Sequence, residues 1–131
     1  MKKLLWLDDL RNPSDPNMNW LSFSPIGTDV EVTWVKNYKE FISWIKINGL
    51  PDGVCFDHDL GETKKEKTGY DAAIWMVEYC LDNNLNPPPY GIQSSNPVGR
   101  LNISTLINNY KNHRKDDRIS RVKKIHRGGK G

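Results

Sequence analysis

The stretch Val54–Gly61, "VCFDHDLG", runs from three apolar residues directly into Asp57, His58 and Asp59. A short apolar run that ends in polar residues is typical of a buried strand in a parallel sheet. If the backbone stays extended, side chains two positions apart point the same way, so the carboxylates of Asp57 and Asp59 would repel each other. Either a bound cation offsets this repulsion, or the groups lie together because they carry out chemistry.

Predicted strands and helices alternate on both sides of this stretch. Apolar runs predict strands at residues 3–7, 30–35, 53–56 and 90–93. Apolar residues at helical spacing predict helices that follow Asn37, span 71–82 and include 103–110. Strands that alternate with helices pair in parallel through right-handed crossovers, so the sequence predicts a layered α/β domain.

Two segments depart from this alternation. Residues 12–30 contain three prolines and several turn-forming residues, which predict a long irregular loop. Residues 111–131 carry nine Lys or Arg against two Asp, a charge of +7, whereas residues 1–110 carry −4. This basic C-terminal segment either binds phosphates or nucleic acid, or is a solvated end. We expect it to form a fifth strand before a basic end at Arg127 to Gly131.

The composition predicts a single domain that comprises residues 1–131. Hydrophobic residues make up 37% and charged residues 27%, as in soluble globular proteins. No apolar run approaches the ~20 residues that span a bilayer, so we expect a cytoplasmic protein without a membrane partner. Cys55 and Cys80 lie in apolar surroundings without the spacing of metal ligands, and we expect two buried thiols in a reducing compartment.

Three predicted strands end in groups of polar residues, which are Asp8-Asp9 with Arg11, then Asp57-His58-Asp59, then Ser94-Ser95-Asn96. Open α/β sheets bind ligands beyond the carboxyl ends of their strands, so we expect the three groups to share one crevice. Several carboxylates in one crevice require a counter-ion. Oxygen ligands without paired cysteines favour Mg²⁺ or Mn²⁺ over zinc, and such an ion can exchange its waters for phosphate oxygens.

The same groups contain candidates for phosphate binding and proton transfer. Ser94, Ser95 and Asn96 offer neutral donors to phosphate oxygens, and Arg11 or Arg100 could add a charged one. His58 lies between two carboxylates, which favour the protonated imidazole. That form suits a general acid near neutral pH, although an orienting hydrogen bond is the alternative role.

Four segments, "LLWLDDLR", "FDHDLG", "TGYDAA" and "QSSNPVGR", resemble in this order the cyclic-phosphate processing receiver domain (cREC) family. The resemblance covers about residues 3–110 and implies a three-layer, receiver-like (flavodoxin-like) parallel sheet flanked by helices, with loop 12–30 in place of the first helix. It also implies that Asp8 and Asp9 bind metal, that Asp57 binds metal or accepts a phosphoryl group, and that Ser94 or Ser95 is the hydroxyl residue. A receiver lysine at the end of a fifth strand is missing unless Lys123 or Lys124 reaches that position, which argues against ordinary phosphorelay activation.

Our leading hypothesis is a phosphoesterase that uses Mg²⁺ or Mn²⁺, held by Asp8, Asp9 and Asp57, to hydrolyse a cyclic phosphate. The expected partner is a cyclic nucleotide signal or an RNA 2′,3′-cyclic end, and Asp57, His58 and Asp59 are the catalytic candidates. Phosphate oxygens would be bound by the donors already named: Arg11, Ser94, Ser95, Asn96 and Arg100. The alternatives are a binder that sequesters a cyclic nucleotide without turnover, and a stand-alone receiver phosphorylated at Asp57. A free-standing phage protein acting on a host signal in the host cytoplasm fits the small size, and a homodimer is left open.

Overall fold

Four strands and three helices alternate along the chain in a computed structural model that describes residues 1–59 and 67–128. Within helix residues 116–128 only the backbone is described. The elements are β1 (Lys2–Leu7), a 3-10 turn (Trp20–Phe23), β2 (Val30–Val35), α1 (Tyr38–Asn48), β3 (Gly53–Phe56), α2 (Gly69–Asp82), β4 (Tyr90–Ile92) and α3 (Pro97–Gly128). Leu60 and Gly61 of the opening motif, and most of the charged loop after it, lie outside the described residues.

The strands form one parallel sheet in the order β2-β1-β3-β4. Leu7 is opposite Val35 on one side and Phe56 on the other, and Phe56 is opposite Ile92. The last residues of all four strands are therefore level with one another. As a result, the polar residues that follow β1, β3 and β4 lie side by side at the C-terminal ends of the strands, as predicted.

The two faces of the sheet are covered differently. Alternate residues of β1 and β3 point toward α1, α2 and α3, and these helices contribute Phe41, Ile45, Met76, Ile103 and Ile107 to the larger core cluster. The residues between them, Leu4, Trp6 and Cys55, point the other way and pack against side chains of loop 12–30 that include Trp20, Leu21 and Ile26. This loop forms the layer that a first helix would otherwise provide, which confirms the predicted replacement. Cys55 and Cys80 are free buried thiols, as expected.

Local hydrogen bonds fix where the helices begin. Asn37 caps α1, because its side chain accepts a hydrogen bond from the Glu40 backbone N–H at 2.9 Å, as predicted. Helix α2 begins at Gly69, two residues before the prediction, since Thr68 and Asp71 form a reciprocal capping box. The box holds the start of α2 against the loop that follows β3.

The predicted fifth strand is wrong, because α3 continues as a helix from Pro97 to Gly128. Between Arg100 and Arg127 the sequence contains neither glycine nor proline, so no residue of the kind that ends a helix interrupts it. The described sheet therefore has four strands, and no described strand pairs with the outer edge of β4. Lys123 and Lys124 lie on this helix rather than at a strand end.

Deleting residues 116–131 should leave the melting temperature within about 2 °C of wild type. The described contacts that tie α3 to the domain end with Arg114, which donates hydrogen bonds to Asn84 and Asn86. Thermal melts followed by circular dichroism test this, with the cavity variant Ile107→Ala, expected to lose about 2–5 kcal/mol, as the destabilised reference. A fall of more than about 5 °C on truncation would show that the distal helix stabilises the core.

Candidate functional site

Three carboxylates converge at the C-terminal ends of the sheet strands. Asp8 and Asp9 follow β1, Asp57 follows β3, and one ligand atom from each lies within 4.8 Å of the others. Because β1 and β3 are adjacent and end at the same level, the sheet register brings Asp8 and Asp57 together. The structure thus assembles the three aspartates proposed to bind metal, with Asp8 and Asp57 buried and Asp9 partly exposed.

Asp8 organises the loop that follows β1. Its Oδ1 accepts hydrogen bonds from the backbone N–H groups of Leu10 and Arg11, each at 2.9 Å. Its Oδ2 accepts from the Arg11 guanidinium at 3.3 Å and from Gln93 Nε2 at 3.4 Å. Oδ1 therefore holds the backbone of the loop after β1, and Oδ2 lies on the side of Asp57 and the Arg11 guanidinium.

Arg11 supplies positive charge within the carboxylate group. Its NH1 lies 3.3 Å from Asp8 Oδ2 and 3.5 Å from Asp57 Oδ1. Its guanidinium carbon lies 5.3 Å from the ring centroid of Trp20, which belongs to the 3-10 turn. The side chain of Arg11 is 27% exposed, so it joins two buried carboxylates to the surface of loop 12–30.

Burial raises the pKa of the Asp57 carboxyl from 3.8 to about 6. This pKa already includes a second increase from the charge of Asp8, decreases from Arg11 and from a hydrogen bond given by the Asp59 backbone N–H, and a smaller increase from Asp9. Without another cation, Asp57 therefore exchanges its proton close to neutral pH. A site with this property binds a divalent ion in competition with protons.

Metal affinity should fall as the pH is lowered through about 6. Below the pKa of Asp57 its carboxyl holds a proton, which a metal ion must displace, so we expect up to a tenfold loss in affinity per pH unit. Mg²⁺ titrations followed by thermal shift at about pH 5 and about pH 8 measure the change. Equal affinity at both pH values would show that Asp57 is not a metal ligand.

The Asp59 carboxylate lies outside the carboxylate group. β3 ends at Phe56, so the extended backbone assumed for "DHD" stops before it, and the expected repulsion between Asp57 and Asp59 does not arise. The Asp59 side chain is 65% exposed, and its Oδ1 lies 2.9 Å from His58 Nδ1. Asp59 therefore contacts His58 and gives its backbone N–H to Asp57, which is a supporting position rather than that of a fourth ligand.

Two glycines allow the helix ends to approach this loop. A Cβ on Gly99, in the first turn of α3, would lie 2.3 Å from His58 Cγ and 2.5 Å from Cδ2. A Cβ on Gly69, the first residue of α2, would lie 1.7 Å from the Asp57 carbonyl oxygen. The imidazole of His58 thus lies directly on the backbone of α3, and the Asp57 backbone lies on that of α2.

The third polar group divides between structural and exposed roles. Ser94 is buried, and its Oγ accepts from the Asn96 backbone N–H at 3.2 Å. Asn96 caps α3, because its Oδ1 accepts from the Gly99 backbone N–H at 3.1 Å. Ser95 and Arg100 are exposed, and among the described residues no hydrogen bond or ion pair joins the Arg100 side chain to Asp8 or Asp57. The structure therefore links Ser94 to Asn96 and Asn96 to Gly99, on which His58 lies, and leaves Ser95 and Arg100 at the surface.

Sequence reasoning missed three residues that hold the site. Trp34 Nε1 donates to the Asp8 carbonyl at 2.7 Å, and Trp6 Nε1 donates to the Arg11 carbonyl at 2.9 Å. Gln93 Nε2 donates to the Leu7 carbonyl at 3.0 Å as well as to Asp8. Gln93 follows the apolar residues of β4, so the polar residue at that boundary was the available signal. The tryptophans gave none, because their side chains fit an ordinary core pattern.

The donors at this site fit a hard divalent cation. All three candidate ligands are carboxylate oxygens, which Mg²⁺ and Mn²⁺ prefer, and neither cysteine belongs to the group. Gln93 Oε1 is buried and has no hydrogen-bond partner among the described residues. A buried acceptor of this kind is normally satisfied by a water or ligand, so the site offers one more oxygen than the protein itself uses.

Comparisons with known proteins identify a family. The family model described as the cyclic-phosphate processing receiver domain matches residues 3–109. No curated protein matches the chain. A solved structure of a fusion that contains amino acids 181–211 of the yeast Spc42 trimeric coiled coil is 16% identical, with a TM-score of 0.51, and the alignment covers 98% of this chain and 92% of that one. At this identity the likeness concerns the fold alone. In the part of the chain that the structure describes, no helix is long and apolar enough to cross a membrane.

Proposed function

The chain belongs to the family of cyclic-phosphate processing receiver domains, and on this basis we propose that it hydrolyses a cyclic phosphate ester with a divalent metal ion. The observation that carries the proposal is the convergence of Asp8, Asp9 and Asp57 at the C-terminal ends of β1 and β3. Arg11 lies within this group, and His58 belongs to the same loop as Asp57. An acidic metal site, a cation and a proton donor are the parts that phosphate ester hydrolysis requires.

Asp8, Asp9 and Asp57 would hold the ion. When bound, Mg²⁺ or Mn²⁺ supplies charge neutralisation of the phosphate and activation of a water molecule. Hydrolysis then forms one P–O bond to the water oxygen and breaks one P–O bond of the ring, and the departing oxygen takes up a proton. The protein's task is to orient the ester so that these two bonds lie in line.

We assign the delivery of that proton to His58. With Nδ1–H donated to Asp59, at a distance of 2.9 Å, the other ring nitrogen, Nε2, is left to act as the general acid. Gly99 fixes the position of the ring, because its lack of a Cβ leaves room for the imidazole. Ser94 Oγ and the Asn96 amide nitrogen are the neutral donors that we assign to phosphate oxygens, with Ser95 and Arg100 binding the exposed part of a larger ligand.

The proposed substrates are a cyclic nucleotide or oligonucleotide signal and an RNA 2′,3′-cyclic end. Both present a strained or bridging phosphodiester with at least one negative charge, which suits a metal and a guanidinium. A phage that encoded such a protein would lower the concentration of a host nucleotide signal. A homodimer or other oligomer enters the proposal only if the ligand is too large for one site to bind.

A panel of cyclic mononucleotides, cyclic dinucleotides and cyclic-ended RNAs with Mg²⁺ or Mn²⁺ tests the proposal. Products are identified by mass spectrometry in isotopically labelled water, because hydrolysis must place one water oxygen on the phosphate. We expect turnover by the wild type and by Asp29→Asn, an exposed control, and a loss of about 10²-fold or more in Asp57→Asn. Equal activity in all three proteins would refute the assignment.

Two other outcomes of the panel would replace hydrolysis. Tight binding with the ligand recovered intact would establish sequestration. A change in tryptophan fluorescence with beryllofluoride and Mg²⁺, without turnover of any ester, would establish a receiver modified at Asp57.

A further inference from the structure

We infer that Arg11 is a displaceable internal cation, which holds Asp8 and Asp57 together until Mg²⁺ and a phosphate group enter the site, and which thereby couples the binding of the two. The inference rests on the proposed function only in that the same site binds a metal ion and a phosphate. It concerns binding affinities, and it requires no turnover.

The contacts of the guanidinium are those of a loosely held group. NH1 lies 3.3 Å from Asp8 Oδ2 and 3.5 Å from Asp57 Oδ1, longer than the roughly 2.8 Å of a good charge-assisted hydrogen bond. Both carboxylate side chains are at most 5% exposed, whereas the Arg11 side chain is 27% exposed. The acids are therefore fixed, and the cation can leave toward solvent.

The backbone of Arg11 is held in place even if its side chain moves. Its N–H donates to Asp8 Oδ1 at 2.9 Å, and its carbonyl accepts from Trp6 Nε1 at 2.9 Å. Trp20 lies under the guanidinium at 5.3 Å, which is within the range of a cation–π interaction. Movement is thus limited to the side chain, and the face of Trp20 supports the guanidinium at the rim of the site.

The charges explain why the Arg11 side chain would move from the carboxylates to a phosphate. Three ionised aspartates and Arg11 together carry −2, so a divalent ion neutralises the group with Arg11 still present. The ion and the guanidinium nevertheless compete for the same carboxylate oxygens and repel each other. A phosphate on the ion offers the guanidinium new acceptor oxygens, and bidentate pairing with phosphate is what arginine does best.

Asp8 keeps a donor when Arg11 leaves. Gln93 Nε2 lies 3.4 Å from Asp8 Oδ2 and remains anchored by its contact with the Leu7 carbonyl. Its buried Oε1 has no partner among the described residues, so the amide also has an acceptor free for a ligand. Displacement of Arg11 therefore does not leave Asp8 Oδ2 without a hydrogen-bond donor.

The consequence is positive coupling. When Mg²⁺ binds without phosphate, it must displace the Arg11 side chain from the carboxylates, and the guanidinium gains no new partner. When phosphate is also bound, the displaced guanidinium pairs with it. By linkage, phosphate then raises the affinity for Mg²⁺ by the same factor as Mg²⁺ raises the affinity for phosphate, and typical couplings amount to about 5–150-fold. Arg11→Gln should therefore bind Mg²⁺ alone more tightly than the wild type, by about tenfold, and should lose the effect of phosphate.

Titrations with Mg²⁺ alone and with Mg²⁺ plus inorganic phosphate, read by tryptophan fluorescence and by calorimetry, test the coupling. Lys46→Gln removes the same charge from the exposed last turn of α1, at the opposite end of that helix from Asn37, and should behave as the wild type. Arg11→Lys keeps the charge and should keep part of the coupling.

Coupling in the wild type and in Lys46→Gln that disappears in Arg11→Gln, together with tighter binding of Mg²⁺ alone by that variant, supports the inference. Coupling that persists in Arg11→Gln, weaker binding of Mg²⁺ alone by this variant, or no coupling in the wild type overturns it. The failures of the two proposals are distinct: coupling without hydrolysis of any ester removes the enzymatic proposal alone, and hydrolysis without coupling removes the role of Arg11 alone.

Discussion

Asp57→Asn should abolish metal binding and, at the same time, raise the melting temperature of the metal-free protein near pH 7.5. The two effects have one cause. In the native protein the Asp57 carboxyl is 4% exposed and faces other acids, so its ionised form is disfavoured and its pKa rises from 3.8 to about 6. The negative charge of ionised Asp57, which destabilises the metal-free protein, is also the charge that binds a divalent ion.

The sign of the stability effect follows from proton linkage. Because the native state holds its proton more tightly than the unfolded chain, stability falls as the pH rises from about 4 to about 6, and the loss is complete above 6. A rise in pKa from 3.8 to about 6 corresponds to about 3 kcal/mol, which is an upper bound for the gain in Asp57→Asn because the variant also weakens the contact with Arg11. Several degrees in melting temperature are expected.

Thermal melts of the wild type, Asp57→Asn and the exposed control Asp29→Asn, each with and without Mg²⁺, measure both effects. Mg²⁺ should stabilise the wild type and the control but not Asp57→Asn. The gain of Asp57→Asn without metal should be much smaller near pH 4 and should disappear at about pH 3, where the wild-type carboxyl is protonated in both states. A lower melting temperature than the wild type at pH 7.5 would contradict the argument.

Gly99→Ala should reduce turnover by about 10²-fold or more while leaving Mg²⁺ binding unchanged. The new methyl group would lie 2.3 Å from His58 Cγ, so the imidazole must move away from the position in which it contacts Asp59. Alanine is favoured over glycine in a helix by about 1 kcal/mol, which offsets part of the steric cost. The effect on function should therefore exceed the effect on stability.

A double-mutant comparison separates displacement of His58 from general damage. If Gly99→Ala acts through the imidazole, then adding it to His58→Gln should cause little further loss of activity. Thermal shift with Mg²⁺ reports whether the aspartates are still in place. Wild-type turnover in Gly99→Ala, or additive losses in the double variant, would show that the contact between Gly99 and His58 does not position the acid.

Strand positions and helix caps could be predicted because they depend on local pattern. The apolar run of β3 and the alternation in β2 match the observed strands at 53–56 and 30–35, and Asn37 caps α1 as its spacing to Glu40 indicates. The site followed from one additional rule, that the carboxyl ends of parallel strands meet, and the register of Leu7 with Phe56 explains why it applied.

The parts that could not be predicted depend on where an element ends. The direction of Asp59 turned on whether β3 stops at Phe56 or continues, and the sequence around "DHD" fits both. The basic segment after Arg114 has apolar residues at a spacing that a helix or a short strand could use, so only the continuous backbone of α3 decides between them. The contacts of Trp6, Trp34 and Gln93 are tertiary hydrogen bonds, which no local pattern encodes.

A sheet whose outermost strand has no neighbour is a template on which a strand from another molecule can add. Among the described residues nothing pairs with the outer edge of β4, yet this strand is only three residues long. It is preceded by Pro87, Pro88 and Pro89, which have no N–H to donate to an incoming strand. A short edge behind three prolines is a poor template, so the outer edge of β4 favours little edge-to-edge association between molecules even though no described strand covers it.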